Sequence, residues 1–322
     1  MFRRSLFRGA AALCFSAAFA LPAISAHAAD TVTLDTLDGR MKAKTVRVPA
    51  DPKRIAVLDA AVLDMLDSWN LGDRIVSLPK TTTIPFLAKY FDPKNGIANV
   101  GTLKEVNMEA LMASEPDVIF ISGRLVKKYD ELSRIAPVVY MTTDREAGTL
   151  ESFRRNLTNV AKLFGREADA QAIYENFKAR AEAIKKKTEG KTALVGLVTA
   201  SHVNLLGNAA RCSLIGNEFG FTNVAEKANA NHGNESSFEL LLKLNPDYFF
   251  VLDRDSAIGR PGAKLAADVL NNDMVNRMKA KADDHIAYLT PSAWYLAEGG
   301  ITAMEIMFTD VERALGMAKE AK

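Results

Sequence analysis

The chain has almost no cysteine. Two occur in 322 residues, and because Cys14 falls in a leader-like segment only Cys212 remains beyond it. An intramolecular disulfide and a cysteine-built zinc site are both excluded on that count. Histidine is scarce too: beyond the leader there are His202, His232 and His285, too few for a histidine cage around a bare metal. Charge of one sign is also lacking. Lys and Arg number 41 against 39 Asp and Glu, and removing residues 1–28 with Arg3, Arg4 and Arg8 (41 − 3 = 38) turns +2 into −1. No electrostatic case for nucleic acid survives. The sequence holds no Gly-x-Ser-x-Gly, no P-loop and no Gly-x-Gly-x-x-Gly, so neither an activated nucleophile nor a phosphate cradle marks it as an enzyme.

What is present begins with a basic head, Phe2-Arg3-Arg4-Ser5-Leu6-Phe7-Arg8, followed by an apolar run and Ala26-His27-Ala28. That pattern reads as a secretory signal peptide over residues 1–28, which implies a periplasmic protein. Pro22 breaks the apolar run, which is too short to span a membrane. Leu13 precedes Cys14 where a lipoprotein signal needs a small residue. Arg3-Arg4 fits twin-arginine export as well as the general secretory route, and both remain open.

Short apolar runs then alternate with helical patterns. Ile55–Leu58, Arg74–Leu78, Val118–Ser122 and Val138–Tyr140 read as buried strands, with helices at Asp59–Asn70 and Met108–Ser114. The alternation returns at Ala193–Thr199, Tyr248–Leu252 and His285–Leu289. Continuous apolar strands between helices predict parallel sheets covered on both faces, an α/β fold. Between the halves, Leu150–Phe164 ends at Gly165, and Glu167–Lys187 carries a stripe of Ala168, Ala172, Ile173, Phe177, Ala181 and Ile184. A connection this rich in helix formers is a stiff rod on which two lobes rock only slightly. The predicted division is an N-terminal lobe over 29–148, a helical region over 149–189 and a C-terminal lobe over 190–322.

An internal repeat is the most informative feature. Met108-Glu109-Ala110-Leu111, Glu115-Pro116-Asp117-Val118 and Arg124 recur as Phe238-Glu239-Leu240-Leu241, Asn245-Pro246-Asp247-Tyr248 and Arg254. Glu109, Pro116 and Arg124 are all offset by 130 from their partners (239 − 109 = 130). Each copy reads as helix, Pro-Asp turn, buried strand, then arginine at the strand's carboxyl end, where open parallel sheets bind ligands. Two such arginines point to one shared cleft for an anion. The second copy carries six extra residues upstream, in a polar loop that contains His232.

These features resemble the periplasmic substrate-binding proteins of iron–siderophore ABC importers, in particular those for ferric catecholates of the enterobactin type. The matching segments include Asp51–Leu58, Ser122-Gly123-Arg124, Arg211–Ile215, His232-Gly233, Asp253-Arg254 and Trp294-Tyr295-Leu296. The resemblance implies two Rossmann-like lobes bridged by one long rigid helix. It implies Arg124, Arg211 and Arg254 around the ligand, with Trp294 beside it. His232 and Tyr295 are implied as side chains able to complete the iron's coordination.

The chemistry is coherent. A ferric tris-catecholate is a trianion, and guanidiniums donate to several oxygens while stacking on aromatic faces. Ferric iron accepts phenolate oxygen and imidazole nitrogen. The transported ferric siderophore is then the only metal species, with no intrinsic cofactor. Glu109 and Glu239, at the starts of pseudo-equivalent helices, resemble docking pins for a permease dimer, while the helix dipole alone also favours them there. A monomer is expected. Heme and other iron complexes are the alternative cargo, since His232 and Tyr295 are also plausible heme ligands; His202 and His285 read as structural.

Overall fold

A computed structural model describes residues 30–81, 84–228 and 234–317. The expected leader, residues 1–28, lies outside the described residues. In chain order the N-terminal half contains β1 (Thr31–Leu37), β2 (Ala43–Pro49), β3 (Ile55–Leu58), α1 (Ala60–Ser68), β4 (Ile75–Leu78), β5 (Ala98–Asn99), α2 (Met108–Ala113), β6 (Val118–Ile121), α3 (Tyr129–Leu132) and β7 (Val138–Tyr140). The helical region is α4 (Thr149–Phe164) and α5 (Glu167–Thr188). The C-terminal half contains β8 (Thr192–Thr199), β9 (His202–Leu205), α6 (Leu214–Asn217), β10 (Thr222–Asn223), β11 (Asn234–Ser236), α7 (Phe238–Leu244), β12 (Tyr248–Asp253) and α8 (Arg254–Ala257). It closes with α9 (Ala266–Leu270), α10 (Asp273–Asn276), α11 (Lys279–Ala282), β13 (Ile286–Leu289) and α12 (Ile301–Ala314).

The first lobe is a five-stranded parallel sheet in the order β5-β4-β3-β6-β7. Its strands β3, β6 and β7 are buried at every position, as continuous apolar runs require when both faces are covered. The second lobe is built on β8, β12 and β13, also parallel. It departs from the expected all-parallel sheet because β9 pairs antiparallel with β8, and β11 antiparallel with β9. The cause is a two-residue turn: Ala200 and Ser201 both adopt positive φ, 49° and 65°, as a hairpin turn matched to the strand twist demands. Asp255 holds that turn, accepting from the Ala200 amide at 2.7 Å and from the Thr199 hydroxyl at 3.0 Å.

The repeat has a structural logic in both lobes. Glu115 and Asn245 end their helices at left-handed φ of 42° and 39°, and the following proline prevents continuation. The next aspartate caps the entry to the lobe's first strand. Asp117 accepts from the Lys53 and Arg54 amides, and Asp247 from the amide and hydroxyl of Thr192. The Thr192 amide is the main reason that the Asp247 carboxyl falls to about 2.

The helical region is where the lobes meet. Gly165, at φ 64°, breaks the rod between α4 and α5, as its sequence position predicts. The stripe on α5 is in part different from the one expected: Phe177, Ala181 and Ile184 are buried, but Ala168 and Ala172 are exposed, and Ala170 is buried instead. Phe177 meets Phe153 of α4 edge-on at 5.5 Å and Phe308 of α12 at 5.0 Å, and Phe308 meets Phe219 at 4.8 Å. This aromatic spine makes one core continuous through both lobes. The hairpin β1–β2, absent from the sequence reading, hangs on the edge of the first lobe. Thr36 exchanges hydrogen bonds with the Tyr140 backbone, and Asn159 donates to the Asp35 carbonyl at 2.7 Å.

Candidate functional site

The carboxyl ends of both sheets face one cleft. Asp59 follows β3, Arg124 follows β6, Arg145 follows β7, Arg254 follows β12, and Tyr295 follows β13. The chain after β13 winds a π-helical turn over Ser292–Leu296, closed by the Ala297 amide on the Ser292 carbonyl. Such widened turns recur at functional sites because they push a side chain and a carbonyl out of helical register. Here both point into the cleft.

Three arginines converge on Tyr295. Arg124 from the first lobe and Arg211 from the second donate to its carbonyl oxygen at 3.5 and 3.3 Å. Arg254 Nε donates to its phenolic oxygen at 2.9 Å and Nη1 to the Thr199 hydroxyl at 3.1 Å. The Arg211 guanidinium also lies over the Tyr295 ring, 4.4 Å from its centre, with Arg254 at 5.7 Å. Two like charges thus share one carbonyl. Burial, then the charge of Arg211, holds the Arg124 guanidinium below its ordinary value.

Two polar atoms here are buried without any partner: Arg211 Nε and Ser122 Oγ. Orphaned donors of this kind cost roughly 1–3 kcal/mol each, a cost an anionic ligand would remove. Asp59 caps α1 through the Ala61 and Val62 amides, and burial pushes its carboxyl up. Thr142, Thr143, Arg145 and Asn156 line this pocket and also an adjoining cavity of about 1160 Å³ between the lobes.

The placement of the sequence-predicted residues is uneven. Arg124, Arg211, Arg254 and Tyr295 come together. His232 lies outside the described residues. Trp294 is corrected: it is wholly buried, its indole N–H donates to Asp310 at 3.0 Å, and it belongs to the core beneath the site. Adjacent residues of a helical turn point in different directions around its axis, so Trp294 faces the core while Tyr295 lines the cleft. Glu109 and Glu239 are exposed in the first turns of α2 and α7, and neither lines the arginine pocket. His285 is structural, stacked on Tyr248 at 4.2 Å. Cys212 is buried, and burial pushes its thiol up to about 12.

Sequence reasoning missed Arg145, Glu298 and Ser122. The same rule that found Arg124, a polar residue just beyond a strand's carboxyl end, applies to Ser122 and Arg145. Glu298 gave no such signal.

Residues 55–293 match the periplasmic binding protein family. The chain belongs to that family. It is 33% identical over 283 residues to the petrobactin-binding protein YclQ of Bacillus subtilis, covering 87% of this chain and 88% of that protein. The crystal structure of YclQ superimposes with a TM-score of 0.83, over 91% of this chain and all of YclQ. The catecholate-siderophore binding protein VctP of Vibrio cholerae gives 0.81 at 30% identity, over 88% of this chain and 100% of VctP. The siderophore-binding protein BauB, solved with two acinetobactin molecules and ferric iron, gives 0.79 at 25% identity, over 90% and 100%. The two-lobe α/β fold is therefore that of a binding protein of iron import. Among the described residues no helix is long and apolar enough to cross a membrane.

Proposed function

We propose that this protein captures a ferric catecholate siderophore in the interlobe cleft and delivers it to an ABC permease dimer, working in the periplasm after export directed by residues 1–28. The observation that carries the reading is the convergence of Arg124, Arg211 and Arg254 on Tyr295, with buried donors still unmatched. A trianionic iron complex supplies acceptors to all of them in a region of low dielectric, where each charge-assisted bond is strong. Among the described residues no three His, Cys, Asp or Glu side chains cluster to hold a bare metal ion. Similarity to the siderophore-binding proteins YclQ, VctP and BauB supports a siderophore as cargo, and VctP supports the catecholate class.

With a siderophore that supplies only four oxygens, Tyr295 and His232 complete the iron's coordination. The Arg254 guanidinium donates to the phenolic oxygen that would face the iron and so fixes its position. With six donors both become neighbours of the complex. Exposed Glu109 and Glu239 are the docking pins, flanked by exposed Met112 and Leu240 that add apolar contact.

The test is a titration of protein fluorescence against a panel of iron complexes. A ferric catecholate should bind at submicromolar concentration, at least about tenfold tighter than heme or a neutral ferric hydroxamate, a difference of roughly 1.4 kcal/mol. Heme binding ten times tighter than any catecholate sinks the proposal.

A further inference from the structure

A site for a trianion has little use for a buried carboxylate, yet Glu298 supplies one. It follows the π-turn that carries Tyr295, its side chain is 8% exposed, and it lines the arginine pocket. Both its oxygens are taken by Arg145, at 3.1 and 2.7 Å, and Arg145 Nη1 also donates to the Ser213 hydroxyl at 3.2 Å. Burial alone would push the Glu298 carboxyl up, but Arg145, then Arg211 and Arg124, outweigh it and hold the group below its ordinary value. It is an anion in the wall of an anion site.

The pair also joins the lobes at matching positions. Arg145 lies three residues before Gly148, which opens α4, and Glu298 two before Gly300, which opens α12. The two glycines are 152 apart (300 − 148 = 152) and the two charged residues 153 (298 − 145 = 153), so each member of the pair precedes the helix start of its own half at nearly the same spacing. Arg145 borders both the arginine pocket and the adjoining cavity. A free Arg145 would add a further positive charge to the ligand's surroundings.

We propose that Glu298 determines the charge selectivity of the cleft, by neutralising Arg145 and offsetting part of the field of Arg124 and Arg211. The site then matches the charge of its cargo instead of favouring the most highly charged anion available. A carboxylate costs anion affinity wherever it stands near the ligand. Its presence is explained by selectivity and by holding the Arg145 guanidinium in place in the empty protein. This inference rests on the reading of the cleft as a ferric catecholate site.

Two probes of one shape isolate charge. A hexadentate tris-catecholate binds Fe(III) as a trianion and Ge(IV) as a dianion of the same connectivity. The quantity read is the ratio of the two dissociation constants, germanium over iron. In Glu298→Gln the ratio should rise about tenfold, the size expected for one charge acting on another across several ångströms at an effective dielectric near 20. In Arg145→Gln, which leaves Glu298 unpaired, it should fall below the wild-type value. The double variant should return close to it. A purely structural Glu298 would weaken both complexes by one factor, and an unmoved ratio in both single variants overturns the proposal. Should one variant fail to fold, the sign of the shift in the other decides. Wild-type protein that binds neither complex removes the catecholate reading itself, an outcome distinct from an unmoved ratio.

Discussion

Arg211→Gln should weaken ferric catecholate binding about 100-fold while leaving the melting temperature of the empty protein nearly unchanged. In the empty cleft this guanidinium gains little. One nitrogen shares the Tyr295 carbonyl with Arg124, and Nε is buried without a partner. Its repulsion of Arg124 opposes the stacking on the Tyr295 ring. Removing it therefore costs a cation–π contact of about 1 kcal/mol and relieves a like-charge pair and an orphaned donor. In the loaded cleft the same residue makes charge-assisted bonds in low dielectric, each worth roughly 1.5–3 kcal/mol. Isothermal titration together with thermal melts checks both halves. A loss of affinity below fivefold, or a collapse in stability, would place Arg211 in the scaffold and not in the site.

The largest effect on stability is expected at Asp64. This residue of α1 is fully buried, and it caps a helix of the other half of the chain. Its oxygens accept from the Thr302 amide at 3.2 Å and the Ala303 amide at 2.8 Å, at the start of α12, whose own N-terminal residue Gly300 has no side chain to do so. Glu218 does the reciprocal service, accepting from the Leu150 amide at the start of α4, which opens at Gly148. Asp64 and Glu218 thus each cap a helix outside their own lobe.

Asp64→Ala leaves one buried and one part-buried amide unmatched, at roughly 1–3 kcal/mol each, so a loss of about 3 kcal/mol is expected. Gly300→Ala attacks the same contact from the other side, since an added Cβ would stand 2.2 Å from Asp64 Oδ2. The pH dependence has a defined sign. Burial raises the folded Asp64 carboxyl above its unfolded value near 3.8. The folded state then binds the proton more readily, so this titration favours folding below that value and the benefit fades as pH rises through the folded one. The deficit of Asp64→Ala should accordingly be largest in acid and shrink toward neutrality. Denaturant melts across pH 4 to 8 test this, and a deficit that grows with pH contradicts it.

Much of this architecture was legible because burial on both faces forces continuous apolar strands. Ile55–Leu58 and Val138–Tyr140 fall where the pattern places them, and β12 extends its predicted strand by one residue. The repeat was legible for a related reason: helix stop, proline, strand-entry aspartate and arginine are local chemistry at fixed spacing. The hairpin β1–β2 escaped although it alternates as a half-buried strand should, with Asp38-Gly39 near its turn. The β8–β9 turn escaped because Ala200-Ser201 carries no glycine or asparagine to announce its positive φ. Trp294 and Tyr295 show the limit within a matched motif, since the sequence names the pair while the turn's geometry decides which ring meets the ligand. Glu298 was invisible because its role exists only where Arg145 arrives from the other lobe.

The central claim is that an iron complex sits where the three arginines meet Tyr295. Crystals of the protein with a ferric catecholate, measured at the iron absorption edge, test it directly through the anomalous difference map. The account predicts one strong iron peak in the cleft, enclosed by Arg124, Arg211, Arg254 and the Tyr295 phenol. A peak on the outer surface, or in the cavity beyond Arg145 with the three arginines still turned onto Tyr295, would contradict it.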